Sequence, residues 1–374
     1  MERDFSALRR WVEDQLGGSN AIESFDLIAG DASPRRYFRV PIKAADSGFW
    51  GDTLIAVYSP ASENNDAFLK VGEIMNQAGL HTPKVFAFSL KQGFFLIEDF
   101  GNELLLAHLK PPCADALYEA ALNLLGNMAH VRTPELPHYD ANRLQAELDV
   151  FPEWFLRQQL SVSIDERALA CFESLSRVLI DAALEQPVVL VHRDFHSRNL
   201  MLLQHGELGV IDFQDAVMGP ITYDAVSLLK DCYVRWSRLS QLAWLRHHFE
   251  ALQLNYQRRF RGSPIDYIEG RQASRNSLYP SATFESFCRW FDLMGLQRHL
   301  KVLGVFARLN LRDGKPAYLK DLPFVIEYVR EALTLYAADT PEIAQFYDWF
   351  EEDVMPRVLR QPWYRPPGSI GWRP

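Results

Sequence analysis

The spacing of apolar and polar positions changes its period near residue 100. Before that point the pattern is mostly that of strands, and after it mostly that of helices. Phe5, Leu8, Trp11, Val12 and Leu16 recur at helical spacing, and Gly17-Gly18 ends that predicted helix over 2–16. The stretch 25–40 reads as two short strands around a polar turn, 30–36. Thr53–Tyr58 is apolar almost throughout and reads as a third strand, closed by Ser59-Pro60. An amphipathic helix is predicted over 66–79, capped by Gly79, and 86–90 and Phe94–Glu98 read as a hairpin around Lys91-Gln92-Gly93. Four or five antiparallel strands and one helix thus make a small lobe over 1–100.

Beyond Gly101 the period predicts helices over 114–130, 141–160 and 164–184. A short apolar run, Val188–Val191, comes after Pro187, and strands over 200–203 and 208–211 flank His205-Gly206 as a second hairpin. From 222 the pattern is helical again, with long segments over 238–260, 283–310 and 322–338. This larger lobe spans 101–360. The tail 361–374 carries four prolines and two glycines in fourteen residues and is expected to be irregular. No internal repeat or charge block occurs.

Composition narrows the function classes. The 374 residues are 48% hydrophobic and 23% charged, which excludes wholesale disorder and fibrous repeats. The net charge of −9 argues against a nucleic-acid partner. The four cysteines (Cys113, Cys171, Cys232, Cys288) form no CxxC pair, which argues against a disulfide framework or zinc ribbon. The opening residues lack the basic-then-apolar order of a signal peptide, and no run approaches the roughly 18 apolar residues of a membrane span. A cytoplasmic protein without a membrane partner, and a monomer, is expected.

The segment Val191-His192-Arg193-Asp194-Phe195-His196-Ser197-Arg198-Asn199-Leu200 carries the strongest chemical signal, together with Ile211-Asp212-Phe213-Gln214-Asp215 downstream. An Asp, an Asn five residues later, and a second Asp thirteen further on at a strand end is a phosphoryl-transfer arrangement. A carboxylate beside an acceptor hydroxyl can orient it and take its proton. An amide oxygen and a second carboxylate suit Mg²⁺, which neutralises charge on the transferring phosphate. Asp194 is therefore expected to be the catalytic base, with Asn199 and Asp212 as metal ligands.

HRDFHSRNLM, VIDFQDA and GPITYDAVSLL together resemble the aminoglycoside/choline kinase-like phosphotransferases over about residues 25–340. LLKDCYVRW and MGLQRHLKVLGVFARL resemble most the branch that phosphorylates N-acetylmuramate and N-acetylglucosamine at the anomeric hydroxyl in peptidoglycan recycling. The resemblance implies an α+β, two-lobed protein-kinase-like fold, with a small antiparallel-sheet N-lobe ending in a hinge and a large, mostly helical C-lobe. It implies ATP as co-substrate, Mg²⁺ as cofactor and a small sugar as acceptor. His192, Arg193 and Asp224 would support the catalytic loop, although Asp224 equally suits a helix N-cap. Ser33, Arg35 and Arg36 in the turn 30–36 would touch the phosphates, and the Glu98 carbonyl and Phe100 amide would hold adenine. The acidic pair Glu98 and Asp99 could alternatively reach the ribose.

One departure from the kinase pattern stands out: the third strand carries no lysine or arginine. Glu73 would be either a remnant ion-pair partner or a solvated residue, and Arg35, Arg36 or Arg39 would meet the phosphate charge. For the acceptor, His196 and Arg198 make the loop cationic. Arg235 and Trp236 are read as ending one helix. Gln297, Arg298, His299 and Lys301 are read as the solvated polar face of another, whose Leu293, Leu296, Leu300 and Leu303 face the core. Arg235, Arg298 and Lys301 are candidates for a substrate carboxylate, with Trp236 or Trp290 stacking on the sugar. Alternatives are an aminoglycoside, choline or homoserine kinase and, in a different class, an ATP-binding scaffold without turnover.

Overall fold

Strand residues of the first hundred positions bury both faces, because helices or loops cover the sheet on each side. The computed structural model describes residues 5–18, 22–28, 34–43, 52–260 and 282–366. It divides into two units, Met1–Leu105 with Arg198–Asp215, and Leu106–Ser197 with Ala216–Pro374.

In the first unit, β1 (Asp26–Ile28), β2 (Arg36–Pro41), β3 (Thr53–Tyr58), β4 (Val85–Ser89) and β5 (Phe94–Glu98) form one sheet in the order β1-β2-β3-β5-β4. Every neighbouring pair is antiparallel. Side chains alternate across it. Phe38, Val40, Leu54, Ala56 and Leu96 pack on one face against Leu8, Val12 and Leu16 from α1 (Ser6–Gln15) and the turn after it. Tyr37, Ile55, Val57, Phe95 and Ile97 pack on the other against Phe68 and Leu69 of α2 (Asn65–Gln77), which Asn64 caps through the Ala67 N–H. The hairpin of Leu200–Leu202 and Leu208–Val210 belongs to this unit and is bridged to it at His81 and Leu104.

The second unit is mainly helical. α3 (Ala114–Met128), α4 (Ala141–Leu148), α5 (Glu166–Leu184), α6 (Tyr223–Leu229), α7 (Arg238–Phe260), α8 (Phe284–Leu311), α9 (Leu322–Tyr336) and α10 (Pro341–Trp349) accompany a two-stranded pair of β6 (Val188–Val191) and β7 (Val217–Pro220). Asp140, Asp165 and Thr283 cap α4, α5 and α8.

Three differences from the sequence pattern have physical causes. The predicted helix over 141–160 is α4 and then a π-helical stretch, Phe151–Gln159, with Pro152 in its first turn, where a missing N–H is tolerated. β7 escapes a propensity reading because it ends in Gly219-Pro220, residues tolerated there only at the strand's end. Gln297, Arg298 and His299 are buried rather than solvated: α8 is enclosed on nearly all sides. The described part of the tail, 361–366, is irregular.

Candidate active site

β6 delivers the chain into His192-Arg193-Asp194, and two buried carboxylates fix the backbone of that loop. Asp224, in the first turn of α6, accepts the N–H of His192 at 2.6 Å and of Arg193 at 3.0 Å. Arg193 there has φ +78°, a left-handed conformation that costs a non-glycine residue energy and needs such outside support. At the far end Asp231 takes both the N–H (3.0 Å) and the hydroxyl of Ser197 on one oxygen, while its other oxygen accepts Tyr233 N–H at 3.1 Å. Asp231 and Ser197 are fully buried. Burial pushes the Asp224 carboxyl up to about 7 against the pull of its two N–H donors.

Asp194 lies between these clamps, with the Nδ1 of His192 accepting its N–H at 3.2 Å. Burial alone would raise its pKa. Lys301 above all, then His196, Arg298 and His192, act against this and hold it down at about 2. Lys301, on α8, donates to Tyr223 Oη at 3.2 Å and pairs with Glu147 at 3.1 Å. Glu147 also pairs with Arg193 and accepts the Tyr139 hydroxyl. The ring of His196 meets Tyr233 edge-on with centroids 5.4 Å apart.

The other acceptor candidates divide. Arg298 is 4% exposed and lies close enough to Asp194 to depress it. Arg235 is paired to Glu331 and lies over the Tyr328 ring, in an irregular segment after α6 rather than at a helix end. Trp236 donates to Tyr118 Oη at 2.7 Å, and Trp290 to Glu185 at 2.5 Å, so both indoles are engaged within the fold. Arg198 lies in the first unit, half-buried.

Asn199 and Asp212 also belong to the first unit, where the Ile211 N–H bonds the Asn199 carbonyl at 3.0 Å and so ties their two segments together. Asp212 has φ +64°. One of its oxygens accepts Gln214 Nε2 at 2.8 Å, and the other has no hydrogen-bond donor among the described residues. An amide oxygen and a carboxylate form a hard, incomplete donor set, which fits Mg²⁺ sharing its sphere with phosphate and water. Among the described residues no cluster of three or more His, Cys, Asp or Glu could hold a metal without such help.

On the nucleotide side, Ser33 lies outside the described residues. Arg35 is buried, bonding Ser59 Oγ at 3.0 Å and lying over the Phe68 ring, with Glu63 at 3.6 Å. Arg36 bonds the Arg35 carbonyl at 2.8 Å. Arg39 is excluded as a phosphate ligand by its neighbours: it grips both oxygens of Asp99, at 2.6 and 2.9 Å, with further bonds to Gly101 O and Asn102. The same clasp takes Asp99 away from any ribose, with Thr53 and the Gly101 N–H also on its carboxylate. Burial would raise the Asp99 pKa, but these donors lower it. The Glu98 carboxylate bonds His81 and the Lys84 N–H. Phe100 lays its ring over Gly209, and its N–H makes no hydrogen bond among the described residues. Glu73 is exposed and, among the described residues, bonded only to Gln77, the solvated alternative.

Sequence reasoning missed Asp231, Ser197 and Glu147. Asp231 carries a usable signal, as a carboxylate inside the apolar run after Tyr223-Asp224, whereas nothing local marks Glu147.

Several known proteins are similar to this chain. Residues 24–262 match the model of the phosphotransferase enzyme family. The N-acetylmuramate/N-acetylglucosamine kinase of Pseudomonas aeruginosa is 39% identical over 354 residues, covering 91% of this chain and 94% of the relative. The enzyme of the same name from Pseudomonas putida is 35% identical over 353 residues, with the same coverage, 91% and 94%. In structure the chain is similar to choline kinase from Cryptosporidium parvum Iowa II, with a TM-score of 0.59, 10% identity, and coverage of 93% of this chain and all of the other.

Proposed function

The chain belongs to the phosphotransferase enzyme family, a kinase by kinship and by fold, and from that premise we propose that it transfers the γ-phosphoryl group of ATP to the anomeric hydroxyl of an N-acetylated amino sugar, N-acetylmuramate or N-acetylglucosamine. The observation that carries this reading is the clamped loop with a half-buried, ionised Asp194 among cations. The two relatives, named for these sugars, support the acceptor class.

Asp194 accepts a hydrogen bond from the acceptor hydroxyl and points its oxygen at the γ-phosphorus. The new O–P bond forms as the bond to the β-phosphate oxygen breaks, and the hydroxyl proton passes to Asp194. A carboxyl held at about 2 is a weak base, so it orients the nucleophile and takes the proton late. This suits a loose transition state that needs little nucleophilic push, and an anomeric hydroxyl, which is more acidic than an ordinary alcohol. Asn199 and Asp212 would hold Mg²⁺, which when bound neutralises charge on the phosphates. The Phe100 N–H and the Glu98 carbonyl would hold adenine, and Arg35 and Arg36 would lie toward the phosphates. His192, Arg193 and Asp224 keep the loop in shape.

The test is ADP release with Mg-ATP over N-acetylmuramate, N-acetylglucosamine, choline, homoserine and kanamycin, with the product position read by ³¹P NMR. A sugar 1-phosphate is expected, and Asp194→Asn should lose most of kcat while still binding ATP. Turnover of kanamycin or choline alone would discard the sugar, and full activity of Asp194→Asn would discard the base.

A further inference from the structure

Arg298 differs from the other cations packed around the catalytic loop of the second unit. Arg193 and Lys301 each meet Glu147, and Lys230 meets Asp292 at 2.8 Å. Arg298 is as buried as Lys230, yet no described carboxylate lies within ion-pair distance of it. Among the described residues its one hydrogen bond goes from Nη1 to the Cys232 sulfur at 3.8 Å, a weak acceptor, and its buried Nε has no partner there. Neighbouring Gln297 is fully buried with both amide atoms unpartnered. Nearby negative charge favours this buried guanidinium, but most of its planar fork of five donors has no acceptor in contact, and buried donors left unmade are costly.

The groups that face Arg298 narrow its use. Asp194, Asp231, Tyr223 and Cys232 surround it electrostatically, and the first of these is the proposed base. A negatively charged group of an acceptor bound beside Asp194 would therefore find Arg298 desolvated, held in place by α8 and still unpaired. The fork matches a carboxylate with two parallel N–H donors. Lys301, one turn further on, is less suited to the same task, because Glu147 and Tyr223 already occupy its ammonium.

We infer that Arg298 is the anion-recognising residue of the acceptor site: it binds a carboxylate carried by the sugar and separates an acidic amino sugar from its neutral counterpart. The inference rests on the sugar-kinase reading and deepens it, since N-acetylmuramate differs from N-acetylglucosamine by a lactyl ether that bears one carboxylate.

Arg298→Met and Arg298→Lys decide the matter by kcat/KM for both sugars, with melting curves of each variant. Methionine fills the buried volume without the charge. Because Arg298 also acts on Asp194, some loss of kcat on both sugars is expected, and the ratio of the two specificities cancels it. That ratio should fall about 10–100-fold against N-acetylmuramate in Arg298→Met, the size of a lost charge-assisted pair. Arg298→Lys, which keeps the charge but not the fork, should raise KM for the acidic sugar alone, and it carries the test should the methionine variant not fold. Ratios within about twofold of wild type in the folded variants would overturn the inference while leaving the sugar-kinase reading intact. A wild-type chain that phosphorylates neither sugar would remove both.

Discussion

Asp231 is the residue through which the structure makes its sharpest demand. Its carboxylate takes three donors in a fully buried setting, two from Ser197 on one oxygen and the Tyr233 N–H on the other. Hydrogen bonds to a charged acceptor contribute about 1.5–3 kcal/mol each, against about 0.5–1.5 for neutral ones. Asp231→Ala would strand three buried donors at about 1–3 kcal/mol apiece, a sum approaching the whole stability of a domain, and so would report mainly on unfolding. Asp231→Asn is the informative change. Its one carbonyl oxygen can still serve Ser197, but the charge is lost and the new amide sets its own N–H against that of Tyr233. The expected loss in holding the loop is about 2–3 kcal/mol. If half or more of this appears as misplacement of Asp194, kcat falls about 10–100-fold. Ser197→Ala removes only the hydroxyl and should cost about a tenth of the activity loss of Asp231→Asn. The assay is ADP release at saturating Mg-ATP, alongside a melting curve and the KM for ATP, which should stay at the wild-type value. Both variants melting lower while kcat stays within twofold of wild type would refute the reasoning and leave Asp231 a fold residue only.

Lys301→Met removes the largest of the charges that depress Asp194 and should raise its pKa above about 2, moving the acid limb of the pH profile of kcat/KM to higher pH; coincident profiles would count against it. Because that pKa lies below the ordinary carboxylate value, the stability Asp194 contributes in the wild type is complete above about pH 4 and disappears only as pH falls toward 2, which acid titration of the melting curve reads. Gly304→Ala would set a Cβ 2.4 Å from the Val150 carbonyl oxygen, so the π-helical stretch or α8 must shift, at a cost of about 1–3 kcal/mol seen as a lower melting temperature. Gly209→Ala would set a Cβ 2.6 Å from the Phe100 ring and should raise KM for ATP about 3–10-fold with KM for the sugar unchanged.

The parts of this protein legible in the sequence are those with local causes. β3 and β6 arise from unbroken apolar runs between Pro and Gly signals, and their bounds agree with the reading. The kinase loop is a fixed order of residue types, so its spacing suffices. Periodicity misses what is long-range. The partners of the loop come from 31 to 46 residues away along the chain, as with Asp224, Asp231 and Glu147, and no period links them. Helical periodicity assigns Gln297, Arg298 and His299 to water because polar residues on a helix usually meet it. Here His299 stacks on Tyr328 with centroids 4.8 Å apart and bonds the Lys230 carbonyl at 3.0 Å, so a surrounded helix carries polar groups that its own sequence would place outside. Arg39 escapes a local reading for the same reason: a cation on a strand gives no hint that an aspartate 60 residues on will claim it.

As the proposed base, Asp194, held at about 2, cannot draw its power from proton affinity, so the contribution proposed for it lies in where it holds the acceptor oxygen. Combined variants can separate placement from proton affinity. If Asp231 acts on catalysis by placing Asp194, its loss matters only while Asp194 has something to place. Asp194→Asn/Asp231→Asn should then be no slower than Asp194→Asn alone, although each single change is slow, because residues that act as one unit are not additive. Independent roles predict the opposite, with the two losses multiplying and the double variant falling a further 10–100-fold or so, about the single-variant effect of Asp231→Asn. Melting curves measured in parallel should still add, since the charge on residue 231 and the Tyr233 hydrogen bond are lost whether or not residue 194 carries a charge. Non-additive kcat with additive stability would tie the clamp to the chemistry. Multiplying losses in kcat would show that Asp231 reaches the reaction by another route, for which its proximity to Arg298 offers the first place to look.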